Sequence, residues 1–339
     1  MAGWRRVRLV FAPGVEVEFV DRERGLRQVK ELAERGTRFP LVVYGPEGCG
    51  KTAFLRQALE VLKSLGYSVV YVNPLGRGDE DRLVTSDDVK RLVDAAVGLL
   101  LGGSAAGLVE AAIRIVVKLL GRSKRVALVA DDAFQAVGIE QAEILVKRLL
   151  NLIEYPPRDY ERMVVVIASS EGVTRERISR HSWAELRMMW SLSRRGFEEL
   201  YEQLPGVKPP VDDAWRWTGG NPRYLGRLYG AGWDVNRVVE DIVVERRPLR
   251  GLVRRWRREL ERVVEDPDYL MEEYERLEGL ARRLIELNMI AEVIEYRDGY
   301  HWVDEPPPAR DPELGIGRYY AWQTPLHREA VKRLLADSA

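Results

Sequence analysis

Short apolar runs recur along the first half of the chain, each closed by a polar or glycine-rich turn. Residues 6–20, RVRLVFAPGVEVEFV, alternate apolar and polar positions about Pro13-Gly14 and predict a β-hairpin. A helix follows over 22–35, and Pro40 leads into a strand over 41–45. Residues 45–52, GPEGCGKT, then open a helix that runs to Leu65, and Ser68 to Val72 make the next strand. Residues 75–124 read as mostly helical, with Thr85-Ser86-Asp87-Asp88 as a cap ahead of VKRLVDAAVGLLL. RVALVA (125–130) predicts a strand ending at Asp131-Asp132, and a helix over 139–154 leads to Pro156-Pro157. MVVVIA (163–168) ends at Ser169-Ser170, and 185–190 is a fifth candidate strand. Continuous apolar strands alternating with helices are the mark of a parallel sheet buried on both faces.

After residue 196 the pattern turns helical, with two longer helices expected over 251–264 and 269–287. Residues 290–296 and 300–303 flank Arg297-Asp298-Gly299 and predict a hairpin. Helices ahead of such a strand pair resemble a winged helix. Residues 304–318, with three consecutive prolines, are expected to be largely irregular.

Composition narrows the classes. Of 339 residues, 46% are hydrophobic, and 53 basic residues balance 53 acidic ones. A net charge of zero argues against a surface that is a nucleic-acid footprint throughout, while leaving room for a local patch. One cysteine excludes an internal disulfide and a cysteine-built zinc site, and fits a reducing cytoplasm. The amino end, MAGWRRVRLVFAPG, lacks a signal peptide's apolar core. The most membrane-like stretch, 95–120, is interrupted by Gly102-Gly103-Ser104 and carries Glu110, Arg114 and Lys118. Each half is too short to cross a bilayer, so the expectation is a cytoplasmic protein with no membrane span.

The chemistry concentrates in GPEGCGKT. The pattern G-x-x-x-x-G-K-[ST] is met by Gly45, Gly50, Lys51 and Thr52. Glycines let the backbone curl so that successive N–H groups converge on one anion, and the following helix turns its positive end to the same point. Gly45, Pro46, Glu47, Gly48, Cys49, Gly50, Lys51, Thr52 and Ala53 are therefore the candidate nucleotide contacts. In this pattern the Lys51 ammonium reaches the β and γ phosphates and the Thr52 hydroxyl holds Mg²⁺. Cys49 needs no role beyond small size. Hydrolysis also requires a carboxylate at the end of a neighbouring strand, and Asp131 is the candidate magnesium ligand. Asp132, next in the chain, stands where a carboxylate would polarise the attacking water; the alternative is that the two merely cap the strand end. Aspartate is a methylene shorter than glutamate, so slow turnover is expected. Ser170 reads as a γ-phosphate sensor or as a simple strand-to-loop transition. Arg180 reads as a phosphate contact or as a surface ion pair.

Together these pieces resemble the archaeal ATPase family, P-loop proteins of the additional-strand class related to signalling NTPases and to AAA+ and origin-recognition-type ATPases. The resemblance is carried by Phe19-Val20-Asp21-Arg22-Glu23, GPEGCGKT, VADDAFQ (129–135), IASSEG (167–172) and TGGNPRYL (218–225). It spans roughly residues 19–230. It implies an α/β parallel-sheet, AAA+-like ATPase domain over 19–195 preceded by the hairpin of 1–18. A helical lid over 196–250 and a winged-helix-like end over 251–339 would follow. ATP and Mg²⁺ are the implied cofactors. By the same resemblance, 19–23 packs beside the adenine, Asp131 and Asp132 are the metal and water acids, and Ser170 is a sensor. Glutamate is usual at the place of Asp132. Gly219-Gly220-Asn221-Pro222 resembles the lid motif, with Pro222 near the base or ribose and Arg223 as a second sensor. Asn221 as an N-cap with Pro222 at the first helical position accounts for the same letters structurally.

The carboxyl third is harder to read. Arg246, Arg247, Arg250, Arg254, Arg255, Arg257 and Arg258 crowd one segment around Trp256. DNA binding is one account, and a solvated face paired with Glu259, Glu261 and Glu265 is the other. Trp302 and the aromatic run 315–322 suit packing or base stacking. His181, His301 and His327 show no metal-ligand spacing. Two function classes remain. One is an ATP-hydrolysing switch whose lid and carboxyl domain contact a DNA or protein partner. The other is a nucleotide-binding scaffold with negligible turnover.

Overall fold

A computed structural model of the chain describes residues 4–76, 79–90, 104–169 and 178–337. The chain starts with the hairpin β1 (Arg8–Ala12) and β2 (Val15–Glu18), then α1 (Glu23–Arg35), β3 (Leu41–Tyr44), α2 (Lys51–Ser64) and β4 (Ser68–Val72). A short turn α3 (Asp79–Arg82) leads to β5 (Leu83–Thr85), and α4 (Ala105–Leu119) precedes β6 (Arg125–Asp131). Next come α5 (Ala133–Val137), α6 (Ile139–Glu154), β7 (Arg162–Ser169) and β8 (Glu185–Met189).

The helical part comprises α7 (Arg194–Glu202), α8 (Val211–Thr218), α9 (Pro222–Gly230), α10 (Val235–Glu245), α11 (Leu249–Arg255) and α12 (Arg257–Glu265). It continues through α13 (Tyr269–Glu272) and α14 (Tyr274–Glu286). The chain closes with β9 (Ile290–Glu292), β10 (Trp302–Val303), β11 (Tyr320–Trp322) and α15 (Pro325–Asp337).

Among the described residues seven strands form one sheet in the order β10-β8-β3-β7-β6-β4-β5. All pairs are parallel except β4 with the edge strand β5. Successive residues of one strand serve opposite faces, as a period of two requires. Val126, Leu128 and Ala130 enter the core beneath α4 and α6, whereas Ala127 and Val129 enter the core beneath α1 and α2. Burial on both faces explains why these strands read as unbroken apolar runs. A separate core joins α9 to α12, α14 and α15 through Leu228, Val239, Leu260, Leu284 and Leu334.

Three expectations are corrected. The span expected to be helical contains the strand β5, whose three residues are too few to show alternation. Ser86 beside it does stand at the start of a helical stretch, 87–90, with its carbonyl accepting from the Lys90 amide at 3.2 Å, while its hydroxyl accepts from the Val69 amide at 2.9 Å; the apolar run from 91 onward lies outside the described residues up to 103. Residues 290–296 and 300–303 do not pair with each other: β9 pairs with β11 antiparallel, and β10 pairs with β8 parallel. The carboxyl segment thus adds an edge strand to the sheet that carries GPEGCGKT, and the Arg297-Asp298-Gly299 turn does not close a hairpin. Thirdly, β6 is not the neighbour of β3, because β7 lies between them.

The added strand is locked by a buried ion pair. Arg22 is 1% exposed; its guanidinium lies 3.3 Å from Asp304, and it also donates to the carbonyls of Cys49 (3.0 Å) and Trp190 (2.8 Å). Asp304 in turn accepts from the Gly25 amide at 3.0 Å, and Gln28 accepts from the Asp304 amide at 2.9 Å. Removing one partner of such a pair strands a buried charge. Arg22→Met is therefore expected to lower stability by about 3–5 kcal/mol, read as a lower urea midpoint by circular dichroism; an unchanged midpoint would contradict this role.

Candidate nucleotide site

The loop between β3 and α2 must turn sharply and lie against two other elements. Gly48 has a φ of 76°, and a β-carbon there would sit 2.4 Å from the Cβ of Arg223 on α9. A β-carbon on Gly45 would fall 2.0 Å from the Met189 carbonyl at the end of β8. Glycine is the residue that fits both places.

Each carbonyl from Gly45 to Gly50 accepts a hydrogen bond. Lys51 Nζ donates to the oxygens of Gly45 and Pro46, both at 2.9 Å. Asn221 Nδ2 donates to Glu47 O at 2.9 Å, the Arg223 amide to Gly48 O at 3.3 Å, and Arg22 to Cys49 O at 3.0 Å. The Phe54 amide donates to Gly50 O at 2.9 Å. By contrast, the N–H groups of Gly48, Gly50, Lys51 and Thr52 have no carbonyl partner among the described residues. Carbonyls engaged on the outside and free amides at a helix N-terminus make an anion cradle.

Asp131 ends β6 at 1% exposure and faces this cradle. Its carboxylate accepts from Tyr71 OH at 3.1 Å and from Asn73 Nδ2 at 3.4 Å. Burial, reinforced by the neighbouring Asp132 charge, pushes its pKa up to about 6, against the Thr52 and Tyr71 hydrogen bonds and the Lys51 charge. Thr52, Lys51 and Asp131 are thus together. The register that aligns Asp131 with Ala168 and Tyr44 with Ser169 brings the ends of β6 and β3 level across β7. Asp132 takes a left-handed φ of 48° at the start of α5 and makes no side-chain cap. Burial raises its carboxyl's pKa, while the Lys51 and Arg223 charges draw it down and Glu47 opposes them.

A hydroxyl and a carboxylate are hard oxygen donors of the kind magnesium takes. Asp131, desolvated and held by neutral donors, is suited to a cation's charge, so the residues fit the ion. Among the described residues no group of three or more His, Cys, Asp or Glu could hold a metal, so a bound Mg²⁺ would also need phosphate oxygens and water.

Glu47 is where distant parts of the chain meet the loop. Its carboxylate pairs with Arg223, with Arg246 at 3.4 Å and with Asn288 at 3.4 Å. Its amide donates to Gln323 Oε1 at 3.0 Å. Asn221 caps α9 by accepting from the amides of Arg223 (3.1 Å) and Tyr224 (3.2 Å), with Pro222 at the first helical position. The cap and the loop contact are made by one side chain, so both accounts of Asn221 describe the same geometry. Beneath it, Tyr224 OH lies 2.9 Å from His327 Nε2, and Thr324 Oγ1 lies 2.9 Å from His327 Nδ1, tying α9 to α15.

The other candidates fall as follows. Pro222 Cγ lies 3.9 Å from where a β-carbon of Gly50 would be. Ala53 packs half-buried beneath α1, and Cys49 is fully buried with Sγ 3.7 Å from Lys51 Nζ. Ser170 lies outside the described residues. Residues 19–23 reach the loop through Arg22. Sequence reasoning missed Tyr71, Asn73, Asp304, Arg246 as a loop contact, Asn288 and Gln323. Asn73, a polar residue just past a strand end, was open to detection; the others act across 60 to 282 positions and leave no local pattern.

A family model described as an ATPase domain predominantly from Archaea matches residues 19–228. No curated protein matches the chain by sequence. Solved structures similar to it include DnaA from Aquifex aeolicus bound to AMPPCP, 22% identical over 70% of each chain with a TM-score of 0.37. The Aeropyrum pernix ORC1 protein in complex with DNA is 21% identical over 94% of this chain and 93% of that one, at 0.40. The Aeropyrum pernix ORC2 protein in ADPNP-ADP complexes is 11% identical over 92% and 94%, at 0.38.

His327 supplies a pH test of the contact between α9 and α15. Burial, then the Arg246 and Arg227 charges, lower its pKa from 6.5 to about 3. The unfolded chain therefore binds a proton that the folded chain refuses, so stability is whole above pH 6.5 and falls as pH drops from there toward about 3. In denaturant titrations at several pH values, His327→Gln should flatten that slope; a slope equal to the parent's would contradict the buried neutral imidazole.

Proposed function

Since this chain belongs to the family of ATPase domains found predominantly in Archaea, we propose that it binds ATP with Mg²⁺ at Gly45–Thr52, hydrolyses it, and uses nucleotide state to reset its lid and carboxyl segment. The observation that carries this reading is the buried Asp131 carboxylate set against Thr52 and Lys51 at a loop whose amides are free and whose carbonyls are taken.

The amides of Gly48, Gly50, Lys51 and Thr52 bind phosphate oxygens. Lys51 exchanges the carbonyls of Gly45 and Pro46 for the β and γ phosphates. Thr52 and Asp131 would hold the magnesium, which would supply positive charge to the phosphates. Asp132 orients the water that attacks the γ phosphorus; that bond forms as the bond to the β-γ bridging oxygen breaks, leaving ADP and phosphate. Ser170 is retained as a sensor by position only. Arg223, paired with Glu47 here, is the group that would turn to the γ phosphate, which frees Glu47 and loosens its hold on Arg246 and Asn288. That exchange is the proposed switch, and the carboxyl segment is where a DNA or protein partner would feel it. A cytoplasmic setting belongs to the proposal through the single reduced Cys49.

Phosphate release by the purified chain tests this. Lys51→Ala is expected to lower turnover by about 10²-fold or more. Asp132→Asn should lower kcat by about 10²-fold or more while leaving ATP affinity nearly unchanged. Turnover at the parent level in Lys51→Ala would refute the site. Tight ATP binding with no turnover in the parent would select a nucleotide-binding scaffold instead.

A further inference from the structure

Between Arg246 and Arg258 the chain reads RRPLRGLVRRWRR, seven arginines in thirteen residues with no acid, in a protein whose net charge is zero. The structure sorts these arginines. Arg246 is turned to Glu47 and Arg257 pairs with Glu261 at 3.2 Å. Arg247, Arg250, Arg254, Arg255 and Arg258 are exposed and make no ion pair among the described residues. The acids that border the segment are taken by other partners: Glu245 by Arg227 at 2.7 Å, and Glu259 by Arg276 at 2.8 Å. A solvated, self-neutralising face, the alternative account of this composition, is therefore not what the chain has built here. The apolar residues between the arginines point the other way, with Leu249 and Val253 buried at 0% and 1% exposure and Leu252 partly buried against the same core.

We propose that the surface of α11 and the start of α12 docks the phosphate backbone of a nucleic-acid duplex through Arg247, Arg250, Arg254, Arg255 and Arg258. The guanidinium fork matches phosphate oxygens two at a time, and all five positions are arginine rather than lysine. Arg250 and Arg254, four apart on one helix, share a face about 6 Å apart along the axis. Burial of the segment's leucines and valine removes the apolar wedge that a membrane-surface helix inserts. Trp256 is half-buried with the Arg255 guanidinium 5.4 Å from its ring centre, so it offers no open platform for an unpaired base. Contact is thus to backbone charge, without sequence preference. The surface stands independently of ATP hydrolysis, though Arg246 ties its first residue to Glu47 of the nucleotide loop.

Fluorescence anisotropy of a labelled 20-base-pair DNA duplex, titrated with the full chain at several NaCl concentrations, tests the proposal. Five phosphates neutralised predict a slope of log K against log salt of about −4 to −5. The double variant Arg250→Gln/Arg254→Gln should reduce that slope by about two and weaken binding equally for unrelated sequences. The control Arg122→Gln/Arg158→Gln, exposed at the opposite, amino-terminal end of the sheet's strands, should bind as the parent does. Circular dichroism and ATP turnover of each variant report whether it is folded, so a lost ATPase cannot be mistaken for a lost surface. No binding at low salt, binding indifferent to Arg250 and Arg254, or capture of an acidic polypeptide in preference to the duplex would overturn the proposal.

Discussion

A loop can aim a set of amides at one anion only if its carbonyls are held facing away. That is the constraint on which the rest of this molecule depends. Six consecutive carbonyls, from Gly45 to Gly50, are each engaged, and the donors come from three separate places: Lys51 and Phe54 on α2, Arg22 ahead of α1, and Asn221 with Arg223 at the start of α9. The curled shape is therefore not a property of GPEGCGKT alone. It is a consequence of tertiary structure pressing on the loop from both sides, and glycine at 45 and 48 permits that approach.

The same arrangement explains how a site for a small anion becomes connected to remote surfaces. Among the described residues Glu47 pairs with no cation of its own element; it gathers Arg223 from α9, Arg246 from just beyond α10 and Asn288 from the carboxyl segment, while its amide meets Gln323. An edge strand, β10, reaches back into the core sheet and is fastened by Arg22 and Asp304, so the carboxyl segment is joined to the ATPase core there as well as at Glu47. Both joints end on the loop. Charge rearranged there has few places to go except into these contacts.

What could be read from local pattern was read well where the pattern is long. The parallel strands are unbroken apolar runs because both faces are buried, and the loop is flanked as its chemistry requires. Pattern failed where an element is two or three residues long. β5 and β10 carry no period, and β10 was expected to fold back on 290–296 because Arg297-Asp298-Gly299 looks like a hairpin turn; pairing with β8 was decided instead by tertiary contacts such as Arg22 with Asp304, 282 positions apart. Strand order also has no local signature, which is why Asp131 was expected on a strand adjoining β3 and stands one strand further away. Among the arginines, Arg22 reads as part of the segment 19–23 and Arg246 as part of the cluster 246–258, and only their contacts with Cys49 and Glu47 set them apart from Arg250 or Arg254.

The most direct measurement is residue-resolved amide exchange across 45–64 without nucleotide and with ATP and Mg²⁺. If the unpaired amides are the ligand-binding groups, Gly48, Gly50, Lys51 and Thr52 exchange fast alone and become the most strongly slowed amides on saturation. Equal exchange of those four groups in both conditions would contradict the account.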